Sequence, residues 1–176
     1  MSKVDIIKKI EILFFEKSFK WVSMQDIANN IWIKKASLYY YFPSKEVLIL
    51  EVLNYSFENY LSFIKNTIEI WNKNNFNELL SEFLDYWEKE KNIFSIINQN
   101  WYSENNEILD YLQEKQKIIF ETIYEWMNNK TWFSREKVFL FLSLINDIWR
   151  KKTTYWKCLI NKKKMIEEVK KLFFNN

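Results

Sequence analysis

The chain reads as an all-α protein, one domain or two small ones in size. Apolar residues recur at spacings of three and four almost throughout, no alternating stretch runs longer than a few residues, and polar or Asn-rich breaks divide the periodic segments. With 176 residues, 48% apolar and 28% charged, the chain can bury a real core.

The first helix is expected from about Lys3 to Lys17, where Ile6, Ile10, Leu13 and Phe14 form one stripe. Residues 18–22 connect it to a short second helix. Ser23 is its N-cap, with Asp26 three positions on as in a capping box, and Met24, Ile27, Ala28 and Ile31 supply its apolar face. A third helix covers roughly Lys34 to Phe42 and must stop there, because Pro43 disfavours helical geometry in the residue before it. Ser44 caps the fourth, which runs from Lys45 to about Trp71 and carries Val47, Leu48, Leu50, Val52, Leu53, Phe57, Leu61 and Ile64. Residues 72–77 are the clearest turn signal. Further helices are expected at about Asn77–Lys89, Ile93–Asn100, Asn105–Asn128, Ser134–Thr154 and Lys162–Phe174. Within the helix from Ser134, Val138, Phe139, Phe141, Leu142, Leu144, Ile145 and Ile148 offer more apolar surface than one neighbour can cover, which points to a second subunit.

Composition narrows the function. The absence of His removes the commonest general base and the commonest zinc ligand, and no paired-carboxylate, thiol-base or phosphate-loop pattern replaces them. Neither catalytic residues, nor a metal site, nor a cofactor is expected. No uncharged run of 18 residues could span a bilayer, and the charged first 17 residues do not resemble a secretory signal. With Cys158 as the single thiol, a cytoplasmic location is expected. The net charge of +3 is too small to imply nucleic-acid binding by itself, so the placement of the charges has to decide.

That placement is informative at the third helix. Two short helices joined by a tight turn, preceded by a first, describe a helix-turn-helix whose last helix enters the DNA major groove. At 100° per residue Leu38 and Phe42 point together toward the core, leaving Lys35, Ala36, Ser37, Tyr39 and Tyr40 for DNA. Tyr and Ser hydroxyls bond phosphates or base edges, and small Ala36 permits close approach to a thymine methyl. Lys34 and Lys35 begin the third helix and Lys45 the fourth, where the helix dipole disfavours each cation by about 0.3–1 kcal/mol at low salt. A phosphate held there reverses the sign.

A second anomaly is compositional. There is no glycine, where about 7% is usual, yet there are nine tryptophans. Trp21, Trp32, Trp101, Trp132 and Trp156 stand where helices stop, the habitual place of glycine. Several of these codons are therefore expected to be UGA triplets that the source organism reads as glycine.

The string SMQDIANNIWIKKASLYYYFPSKEVLILEVL, with its spacing of DIA, SLYYYF and PSKE, resembles the N-terminal DNA-binding domain of TetR-family transcriptional regulators. The resemblance covers Ile6 to Leu53. It implies a DNA-binding domain over residues 1–46 and a helical ligand-binding and dimerisation domain over residues 47–176. It further implies a homodimer on a palindromic double-stranded operator, released by an unknown small-molecule inducer, with no membrane partner. By position, Ser23 and Met24 fall where the family contacts phosphate and Gln25 where it can reach a base. Lys35, Ala36, Ser37, Tyr39 and Tyr40 match recognition-helix positions, Tyr41 replaces a frequent His, and Lys45 matches a phosphate-binding Lys. Two departures are Trp32, where the family usually has Gly, and Lys34, where it often has a Ser cap.

In such regulators the last two long helices pair across a two-fold axis, here Ser134–Thr154 and Lys162–Phe174. A ligand cavity is expected among the fourth to seventh helices, where Tyr55, Tyr60, Phe83, Tyr86, Tyr102, Phe120 and Tyr124 are available. The alternative is a dimeric helical adaptor or nucleoid-associated protein that uses the same fold without an inducer.

Overall fold

The computed structural model describes residues 2–17, 21–70, 75–90, 105–131, 133–154 and 161–174. Among these residues there are eight helices: α1 (Lys3–Glu16), α2 (Met24–Asn30), α3 (Lys35–Tyr41), α4 (Lys45–Glu69), α5 (Phe76–Lys89), α6 (Asn106–Thr131), α7 (Arg135–Thr154) and α8 (Lys162–Phe174). The all-α expectation holds. The helix expected at Ile93–Asn100 lies outside the described residues, as do Tyr102, Trp101, Trp132, Trp156 and Cys158.

Local chemistry explains where these helices begin. Ser2 and Ser23 each accept from the main-chain N–H three residues on, and the Asp at that position accepts from the cap's own N–H, so α1 and α2 both open on complete capping boxes. Ser44, Asn105, Ser134 and Asn161 accept in the same way at the starts of α4, α6, α7 and α8. Removing one such acceptor costs about 0.5–2 kcal/mol. The Ser23→Ala protein is therefore expected to unfold at lower urea than the parent, whereas Ser23→Asp, which keeps an acceptor, should recover most of the loss.

The chain divides into two compact units. The first comprises residues 1–61 and 90–115. In it α2 packs on α1 and α3, and Ile6, Ile10, Phe14, Ile27, Leu38, Phe42, Leu48, Ile49 and Leu53 are among its fully enclosed side chains. Tyr111 donates to Asn54 at 3.0 Å and Lys115 pairs with Glu58 at 3.2 Å, joining the start of α6 to α4. The expected boundary after residue 46 falls inside this unit, since α4 contributes to it as far as Leu61.

The second unit comprises residues 62–89 and 116–176. Here α5 packs on α7 and α8 around an aromatic cluster in which Phe174 lies 4.4 Å from Phe76 and 5.1 Å from Phe133, and Phe141 lies 5.2 Å from Phe173. Lys162 on α8 pairs with Asp85 on α5, and Arg135 on α7 makes a two-pronged bond to Glu121 on α6. No helix among the described residues is long and apolar enough to cross a membrane.

Candidate nucleic-acid interface

The candidate interface consists of α2 and α3 and the turn between them. Pattern alone dictates the orientation of α3: Leu38 and Phe42, one helical turn apart, are completely buried. Fixing these two leaves Lys34, Lys35, Ala36, Ser37, Tyr39 and Tyr40 exposed, Tyr40 at 85%. Tyr41 is half-buried, its ring edge-on to Tyr40 at 5.3 Å and tilted against Phe42 at 6.3 Å. The Lys35 ammonium lies 5.7 Å from the Tyr39 ring centre, so the cation and the phenol are presented together.

Phe42 is anchored from outside as well as from the core. The Lys3 ammonium sits 5.5 Å over its ring and pairs with Glu51 at 2.8 Å, tying α1, the end of α3 and α4 together. A rigid mount of this kind fixes the angle at which the exposed face of α3 is offered.

The start of α3 differs from the capped helix starts around it. Lys34 occupies the cap position with no side-chain bond to the helix, and no acidic residue stands in the first turn. The uncapped end and two adjacent lysines favour an incoming anion over a local partner. At the start of α4, burial lowers the Lys45 pKa while Glu46 and Asp26 oppose the shift. Asp26, in turn, is held below the usual carboxylate value chiefly by its bonds to Ser23. The start of α4 is thereby coupled electrostatically to the first turn of α2.

Two side chains on α2 differ from expectation. Met24, expected at a phosphate, is 7% exposed, and its side chain belongs to the core. Gln25 donates through Nε2 to Asn29 Oδ1 at 2.8 Å, so its amide must leave that bond to reach a base edge. Asn29 was not singled out from the sequence, although an i,i+4 Gln–Asn spacing signals such a pair. Ser23, at the head of α2, is occupied in its capping box.

The aromatics proposed for a ligand cavity separate into groups. Tyr55 and Tyr60 belong to the first unit, the latter buried. In the second unit Phe83 and Tyr86 pack on Phe63 at 5.2 and 4.0 Å, and Phe120 and Tyr124 lie parallel at 6.2 Å with Arg135 4.5 Å from the Tyr124 ring centre. An open groove of about 390 Å³ lies between α5 and α8, lined by Asn77, Glu78, Ser81, Lys162, Lys163 and Ile166 and by none of these aromatics.

Residues 6–52 match the family model described as bacterial regulatory proteins, tetR family. The chain's amino-terminal segment is of the TetR type. The match spans the capping box of α2, the turn and the whole of α3, the elements that present the exposed tyrosines. Among relatives, the HTH-type transcriptional regulator YerO of Bacillus subtilis strain 168 is 30% identical over 126 residues, which cover 69% of this chain and 43% of YerO. The negative transcriptional regulator IcaR of the biofilm operon icaADBC in Staphylococcus epidermidis is 25% identical over 126 residues, 70% of this chain and 68% of IcaR. A transcriptional regulator from Aquifex aeolicus VF5 shares the fold with a TM-score of 0.79 at 22% identity, over 98% of this chain and 99% of that one. The chain spans less than half the length of the two Bacillus subtilis regulators it matches.

Proposed function

We propose that the protein is a ligand-responsive homodimeric repressor that binds a palindromic operator through α3. The observation that carries this reading is the division of α3 into a fully buried edge, Leu38 and Phe42, and an exposed face of Lys35, Ala36, Ser37, Tyr39 and Tyr40. Residues 1–46 act as the DNA-binding domain and residues 47–176 as the ligand-binding and dimerisation domain. Lys34, Lys35 and Lys45 meet phosphates, Ser23 and the main chain of Met24 hold the backbone at the head of α2, and Gln25, Tyr39, Tyr40 and Tyr41 stand at or beside the bases. Repression, rather than activation, is proposed by analogy with IcaR, a negative regulator. The inducer is a small molecule bound by the carboxy-terminal helices, and it acts on the spacing of the two recognition helices through α4. The site of action is the cytoplasm.

Two substitutions separate base reading from phosphate holding. Lys45→Ala is expected to weaken binding to all duplexes and to reduce the slope of log affinity against log salt by about one, whereas Tyr40→Ala relaxes sequence preference and leaves the slope unchanged. Fluorescence anisotropy with a selected and a scrambled duplex over a salt series measures both. An unchanged slope for Lys45→Ala would remove the phosphate role.

A further inference from the structure

The turn between α2 and α3 requires a residue that this sequence, as written, never supplies. α2 ends with Ile31 at the half-helical position and Trp32 at φ 61°, the one left-handed residue among those described. The Trp32 N–H donates back to the Asn29 carbonyl at 3.3 Å and the Ile33 N–H to the Ala28 carbonyl at 3.0 Å. These two back-reaching bonds, 5→2 and 6→1, are the Schellman termination, and they close only when the residue after the cap turns left-handed. Glycine takes that conformation without penalty, whereas a Cβ clashes there and a bulky side chain is a clear outlier.

Packing gives nothing back. The Trp32 indole is 91% exposed, so one of the largest apolar side chains offsets none of its backbone cost by burial. Trp87 is the opposite case: it is 7% exposed in the last turn of α5, with its ring 6.2 Å from Phe83, where glycine would empty a core site. The two positions demand different residues although the same letter stands at both.

We propose that position 32 is a glycine in the functional protein, encoded by a UGA triplet that the source organism reads as glycine, and that position 87 is a true tryptophan. The complete lack of glycine in 176 residues is the compositional counterpart of this geometry. At the interface the consequence is steric: the turn three residues before Lys35 becomes bare backbone, and no exposed indole stands between the α2 and α3 side chains that face DNA. The inference rests on the α2 termination and stays independent of whether the protein binds an operator.

Peptide mass spectrometry on protein isolated from its native host tests it directly. Fragmentation of the tryptic peptide 21–34 is expected to give a glycine residue mass at position 32, and that of peptide 74–89 a tryptophan mass at position 87. In recombinant protein made as written, Trp32→Gly is expected to raise the melting midpoint by roughly 2–4 °C or more, while Trp87→Gly lowers it. A tryptophan mass at position 32 would overturn the proposal, and so would a Trp32→Gly protein that melts no higher than the chain bearing Trp.

Discussion

Phe42→Ala is expected to cost about 3–5 kcal/mol of stability, the range for truncating a fully buried aromatic, and to abolish DNA binding with it. The ring is completely enclosed, closes α3 onto the core of the first unit, and lies under the Lys3 ammonium. Removing it leaves a cavity and also releases the helix whose angle sets the interface. Against a total stability of about 5–15 kcal/mol, a loss of that size is visible as a large drop in the urea midpoint. Tyr40→Ala provides the contrast. Its ring is almost wholly exposed, so its stability should stay within about 0.5 kcal/mol of the parent while its discrimination among duplexes falls. Measured together by urea unfolding and anisotropy, the two variants separate what builds α3 from what α3 presents.

The second large effect concerns α7. Phe139 and Leu140 are 60% and 61% exposed in the protomer although they lie side by side in the apolar run from Val138 to Ile145. Leu172 on α8 is exposed to a similar degree. If these side chains are covered by a second copy, the double change Phe139→Glu and Leu140→Glu buries like charges across the two-fold axis and yields a monomer by analytical ultracentrifugation. Linking two half-site contacts raises apparent affinity by about 10²–10⁴-fold, so the monomer should lose a factor of that order on a full operator and little on a half-site. A monomeric parent protein, or a double variant that still sediments as a dimer, would show that α7 is not the interface.

The amino-terminal helices were legible because each carried a redundant signal. For α2, the Ser23 and Asp26 pair and the apolar spacing agreed; for α3, Pro43 marked the end while Leu38 and Phe42 marked the buried edge. α4 shows where periodicity stops being decisive. Residues 47–50 are all apolar, and only tertiary packing decides that Leu48 and Ile49 are enclosed while Val47 is exposed. Met24 is a related case: one side chain was assigned both to the apolar face and to phosphate, and burial resolves it to the core. The Gln25–Asn29 bond was available from spacing but not from composition. Aromatic residues in the carboxy-terminal helices carried no positional information, since a ring that packs on Phe63 and a ring that lines a cavity look the same in a sequence. Trp32 was legible as a compositional oddity where the family usually has Gly, and the backbone explains it as a left-handed turn.

Selection of bound duplexes from a random pool, followed by sequencing, tests most directly whether the tyrosine face of α3 reads DNA as one of a pair. The parent protein is expected to enrich an inverted repeat whose half-site centres lie about 34–36 Å apart, one turn of the double helix. The Tyr40→Ala protein is expected to enrich a degenerate version with the same spacing. Recovery of unrelated sequences by the parent, with no repeat and no fixed spacing, would contradict the assignment of α3 as a recognition helix.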